Sequence, residues 1–194
     1  MKRVAIVLAF ALALPARGDV IQLPQPAIDA LTQIDELPST TQLNGAFGDQ
    51  ALLNLQMIAL DQGAVDPGVQ LRAVRALTHY CNPLPCSASD PVHTTLTTVA
   101  TNPRYRDARS GSDLLMLRAA IEALGILRVP GDVTILVTQL QHASRDIRAA
   151  TAHALRDLGN TQAIAALRAR YQQEQVPQVR IAISDALRVL GQPI

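Results

Sequence analysis

The chain predicts an all-α fold, an α-solenoid of about four helical hairpins preceded by an N-terminal capping helix. Three observations predict it. An Ala-Leu pair recurs at Ala76, Ala123, Ala154 and Ala186, the last three separated by 31 and 32 residues, the length of two short helices and two turns. Apolar residues within each segment recur at three- and four-residue spacing, the period of one helix face. No segment sustains the period-two alternation between turn signals that marks a strand hairpin.

The copy from Ser144 shows the local logic best. Ile147, Ala150, Ala154, Leu155 and Leu158 form an apolar stripe, with Arg145, Ala149, His153 and Arg156 opposite. Ser144 and Asp146 suit an N-cap and a first turn, and Gly159 suits a left-handed exit. The first helices of the hairpins are expected at Asp49–Leu60, Pro91–Ala100, Asp132–Leu140 and Thr161–Tyr171. A capping helix is expected over Pro26–Leu37, where Ile28, Leu31, Ile34 and Leu37 share a face. The second unit is longer than its neighbours, and two loops, 82–90 and 101–113, account for the excess. Insertions in a repeat array tend to gather on one face, often the functional one.

The N-terminus reads as a secretory signal. Lys2 and Arg3 precede an eleven-residue apolar run, Val4–Leu14, and Ala16 and Gly18 offer a small-residue exit. The run falls short of the roughly 18 apolar residues that cross a bilayer. Residues 1–18 are therefore expected to be a signal peptide and 19–194 one solenoid domain, with 19–45 an extension and cap and 46–194 the repeats. The expected location is that of an exported bacterial protein, periplasmic or extracellular, with no membrane span in the mature form. Without residues 1–18 the chain keeps 14 basic and 16 acidic side chains, and every base is Arg. A near-neutral chain with no basic tract excludes nucleic acid as the expected partner, since counterion release needs clustered cations. Charge is nonetheless uneven. Asp19–Asp66 holds seven acids and no base, whereas the rest holds 14 bases and nine acids. Stacking of these two ends would give a homo-oligomer.

Cys81 and Cys86 are the only cysteines, and Asn-Pro-Leu-Pro between them forms a turn. In an oxidising compartment they are expected to pair as a disulfide, worth about 2 kcal/mol for so short a loop. The alternative is a zinc site of His79, Cys81, Cys86 and His93, although this spacing is not a common structural zinc pattern. No metal or cofactor is expected, and no catalytic motif appears: GxSxG, HExxH and glycine-rich phosphate loops are all missing. His142 and His153 read as solvated histidines, in a turn and on a polar helix face.

The segments Ile147–Gly159 (IRAATAHALRDLG) and Val179–Gly191 (VRIAISDALRVLG) resemble the second helix of a HEAT repeat, particularly the short type also found in phycobilisome-lyase-like proteins. The resemblance covers 66–191 well and 40–61 loosely. It implies a protein-binding role, with the second helices lining the concave face. It also implies an alternative, a lyase-like enzyme or enzyme accessory. By the same resemblance Arg72, Arg118, Arg148 and Arg180 would join Asp113, Asp146 and Asp185 in a ladder between repeats. The expected function is a protein-interaction module, an adaptor or subunit of a periplasmic or cell-surface assembly, and not an enzyme. One residue before each Ala-Leu pair stand Arg75, Glu122, His153 and Asp185. One residue after stand Thr78, Gly125, Arg156 and Arg188. This column, with Arg75, Glu122, Arg156, Asp185 and Arg188 as its charged members and His153 beside them, is the candidate partner-binding surface. The loop carrying Arg104, Tyr105, Arg106 and Arg109 is its substitute. If the signal is cleaved as read, the exported chain begins at Asp19, which an intact-mass measurement on protein from the cell envelope checks.

Overall fold

Helix boundaries follow local chemistry at many of the described helices. The computed structural model describes residues 23–33, 36–61 and 64–192, so the expected signal peptide lies outside the described residues. Among them run α1 (Gln25–Thr32), α2 (Thr40–Phe47), α3 (Ala51–Leu60), α4 (Pro67–Ala76), α5 (Pro91–Thr101) and α6 (Pro103–Arg106). They continue as α7 (Gly111–Leu127), α8 (Val133–Gln139), α9 (Arg145–Leu158), α10 (Ile164–Gln173) and α11 (Pro177–Val189), with no strand among the described residues. Proline fills the first position of α4, α5, α6 and α11, where a missing N–H costs nothing. The side chains of Asp66, Asp90 and Ser144 accept the first free amides of α4, α5 and α9. Gly159 closes α9 at φ 71°, a conformation that suits glycine.

The expected hairpins are present as α3/α4, α5/α7, α8/α9 and α10/α11, and the second helices α4, α7, α9 and α11 pack side by side in chain order. The stripe read on α9 is buried in full: Ile147, Ala150, Ala154, Leu155 and Leu158 all belong to one core that runs from α1 to α11. Three of the first helices begin one turn early, in 3-10 turns at Gly48–Gln50, Pro130–Asp132 and Thr161–Ala163.

Two features differ from expectation. The cap is a pair of helices, not one: α1 stops at Thr32, and α2 starts after Ser39, whose side chain accepts the amide of Gln42 while the Gln42 side chain accepts the amide of Ser39. That reciprocal capping box, with Pro38 before it, restarts the helix. α1 packs against α4, and α2 against α3. The second difference lies in the expected loop 101–113, where Asn102 caps the short helix α6 and α7 already begins at Gly111.

Gly125 sets a close approach in the stack. A Cβ there would lie 2.7 Å from Ala154 Cα and 2.9 Å from Ala154 Cβ, so α7 and α9 touch backbone to backbone. Two effects compete in Gly125→Ala. Alanine favours the helix by about 1 kcal/mol, but overpacking against a backbone costs about 1–3 kcal/mol. The clash should win, and the variant should unfold at lower urea than the unsubstituted chain.

Candidate interaction surface

A recurrent donor ties the turn in three of the four hairpins, and its register differs from the one expected. The fourth residue of α4, α9 and α11, six positions before the Ala-Leu pair, is Gln70, Arg148 and Arg180. Gln70 and Arg180 turn back onto carbonyls that end the preceding first helix, and Arg148 onto carbonyls of the turn between α8 and α9. Gln70 Nε2 donates to Ala59 O at 3.2 Å and Asp61 O at 2.6 Å. Arg148 Nη1 donates to His142 O at 2.9 Å and Ala143 O at 2.8 Å, and Arg180 Nη1 to Tyr171 O at 2.9 Å and Glu174 O at 3.1 Å. Helix C-termini leave such carbonyls without partners and favour a cation. Arg72 and Arg118 do not share this role. Arg72 donates to Glu36 O in the α1–α2 connection, and Arg118 pairs with Glu122 on its own helix at 2.7 Å.

Nor is the expected ladder of Asp113, Asp146 and Asp185 built around these arginines. Asp113 pairs with Arg104 at 2.9 Å and Asp146 lies 3.7 Å from Arg145. The buried acid is Glu174, 1% exposed, which crosses from the end of α10 to α9. Its oxygens accept from Arg148 Nε at 2.7 Å and Nη2 at 3.0 Å, from Arg170, and from the Val176 amide. Burial alone would raise its carboxyl. The hydrogen bonds from Arg148, Val176 and Arg170 overcome that and hold it at about 2.

The charged column lies on the exposed side of the second helices and links neighbouring repeats. Arg75 on α4 faces Glu122 on α7 at 3.8 Å, and Arg156 on α9 meets Asp185 on α11 at 2.8 Å. Asp185 also accepts from Arg188, and His153 Nδ1 stands 3.3 Å from Arg156. The two arginines hold the Asp185 carboxyl below its usual range. Gly125 leaves this column, since it is buried in the α7–α9 contact. Between α4 and α7 a groove of about 390 Å³ opens, lined by Arg72, Arg75, Thr78, Glu122 and Ile126, with the α1–α2 connection as its lip. Sequence reasoning missed this groove, whose lip comes from a connection read as helix.

The substitute surface is smaller than expected. Tyr105 is buried in the core, 3% exposed, with Gln70 Nε2 3.4 Å from its hydroxyl, so it cannot serve as an exposed contact. Arg104, Arg106 and Arg109 remain exposed, the first two paired with Asp113 and Asp107. Beneath this segment His142 is half-buried and not freely solvated. Its Nδ1 accepts the Ser144 amide at 3.0 Å. Burial pulls its pKa down, opposed by bonds to the backbone of Ala108 and Arg106.

Cys81 and Cys86 form a disulfide, S–S 2.10 Å, and Cys86 N donates to Leu127 O at 2.9 Å, fastening the 82–90 loop to the end of α7. The four zinc candidates do not converge. His79 Nδ1 lies 3.2 Å from Pro38 O, while His93 is buried between Ala88 O at 3.0 Å and Asp132 Oδ1 at 2.8 Å. Burial raises the Asp132 carboxyl, and the His93 contact opposes it. The group of potential metal ligands that does come together among the described residues is Cys81, Cys86 and Asp90.

Paired helices stacked in register around one core, with a polar column along one row, define an α-solenoid scaffold. Residues 108–188, which span α7 to α11, match the family described as HEAT repeats. The match is to the repeats and carries no lyase label. No curated protein matches the chain. No helix among the described residues is long and apolar enough to cross a membrane.

Removing one side of the Arg148–Glu174 pair leaves a buried charge without its complement, which costs about 3–5 kcal/mol. Glu174→Gln should therefore lower stability by that order in urea unfolding. The sign with pH follows from the depressed carboxyl: the contribution is complete above about pH 4.5 and is lost as the pH falls toward about 2. The unfolding midpoint of the unsubstituted chain should drop across that window, and the Glu174→Gln midpoint should drop less.

Proposed function

We propose that the chain is an exported adaptor, a non-enzymatic subunit of a periplasmic or cell-surface assembly, that holds a protein segment along the row of second helices. HEAT repeats point to a protein-interaction scaffold; the face and the kind of segment are the finer reading. The observation that carries it is the α4–α7 groove and what continues from it. Arg75 keeps donors to spare, because its one ion-pair contact is long, at 3.8 Å, and Glu122 is already bound closely by Arg118. Ile126 beside it is 45% exposed, and Leu115 on the same helix 49%. An apolar residue next to a carboxylate in an extended peptide matches that pairing of apolar wall and open guanidinium. The Arg156–Asp185 contact on the next helices would continue the track. The Cys81–Cys86 disulfide supports export, since disulfides persist in oxidising compartments.

The test is capture of the partner from solubilised envelope by the full chain and by an Arg75→Glu/Arg156→Glu variant. Both sites are partly exposed, so the fold should survive at a cost of about 1 kcal/mol. Partner retention should fall by ~10-fold or more, as when interfacial charges lose their complements. Undiminished capture by the folded variant would move the site off this face.

A further inference from the structure

The helix α3 is apolar almost all round: ALLNLQMIAL contains Asn54 and Gln56 as its polar residues and no charge. Such a helix is normally enclosed on every side. Here Ala51, Leu55, Ile58 and Ala59 face the core, whereas Leu53, Met57 and Leu60, at i, i+4 and i+7, form an outward stripe that stays 51, 46 and 43% exposed. Asp49 and Asp61 flank it, within a segment that holds seven acids and no base from Asp19 to Asp66.

A matching surface lies at the other end of the stack. The helices α9 and α11 align residue for residue, so Ile181 stands where α9 has Ala149, and Arg188 where α9 has Arg156. On α9 this side faces α11, and Arg156 reaches across to Asp185. On α11 the same side faces no helix among the described residues. Ile181 is 69% exposed, Val189 51% and the Arg188 side chain 68%. An alanine that fits beneath a neighbour has become an exposed isoleucine, and the guanidinium that makes the inter-repeat contact points outward again.

We propose that α11 of one copy, through Ile181, Arg188 and Val189, docks on the Leu53/Met57/Leu60 stripe of a second copy. The occupant is a second copy because the two surfaces are complementary within this chain: apolar with acidic flanks on α3, apolar with an arginine on α11, and each half of the chain oppositely charged. The two patches differ, so the contact is heterologous and each added copy presents a fresh stripe, giving head-to-tail chains rather than a closed dimer. None of the patch residues lines the groove, and Arg188 bonds to Asp185 at the far end of the track, so assembly would bring the track of one copy up to the next.

Sedimentation velocity over a range of concentrations, at low and high salt, tests this with the full chain, Leu53→Arg, Ile181→Asp and an equimolar mixture of the two variants. The unsubstituted chain should grow beyond dimer with concentration and associate less at high salt, where the Debye length shrinks to about 3 Å at 1 M. Each variant, spoiled at one end, should associate at least ~10-fold more weakly. The mixture should form dimers and stop, because one intact stripe and one intact α11 face remain per pair. A monomeric unsubstituted chain overturns the proposal, whether because the stripe is covered by the chain's own apolar run at 4–14 or because a different protein occupies it. Association indifferent to both substitutions, or a mixture that stays monomeric, overturns it too. Circular dichroism checks that each variant keeps its helix content, and Met57→Arg or Val189→Asp replaces one that does not.

Discussion

The carbonyls where the chain turns back from a first helix to a second must find donors, and in three of the four hairpins one side chain provides them. Gln70, Arg148 and Arg180 supply those donors from the fourth position of the following helix. The contact fixes how far the second helix advances before it packs, and so fixes the register of its apolar stripe against its neighbours. At Glu174 the device gains a second level. One carboxylate gathers Arg148, Arg170 and two backbone amides, binding the turn of one repeat to the turn of the next. Buried charge is tolerated there because every partner is in place.

The second unit departs from this pattern, and its extra length is tied down by other means. At the position that carries Gln70, Arg148 or Arg180 elsewhere, α7 has buried Leu117. In its place, the disulfide and the Cys86–Leu127 hydrogen bond secure the 82–90 loop, and His93 joins Ala88 to Asp132 across to the third hairpin. Tyr105 inserts the other insertion into the core and meets Gln70. The inserted segments thus act as clamps between repeats as well as surface loops. Close contact at Gly125 and Ala154 completes the junction on the α7–α9 side.

These constraints explain why the exposed row of second helices holds a defined shape. Arg75, Glu122, Arg156 and Asp185 bridge helices whose spacing is already set beneath them, and partly exposed pairs of this kind add little stability themselves. Their effect is on pattern. Between α4 and α7, the lip anchored by Arg72 and by His79 leaves a groove, whereas the α7–α9 junction is closed by backbone contact.

By itself the sequence determined the helical class, the number of hairpins, the caps at Ser144 and Gly159, the stripe from Ile147 to Leu158 and the Cys81–Cys86 pairing. All of these depend on residues within a turn or two of each other, where helix period and chain proximity govern the outcome. The capping box at Ser39 was equally local, and legible as Ser-Thr-Thr-Gln, although the apolar spacing through Leu37 pointed to one longer helix. Tertiary structure alone decided that Gln70, not Arg72, is the counterpart of Arg148, that Glu174 receives Arg148 across 26 residues, and that Tyr105 turns inward. It also decided that Gly125 lies between helices and not on the exposed charged column. Each of those outcomes requires knowing which backbone passes within a few ångströms, and helical periodicity specifies a residue's face without specifying what packs against it.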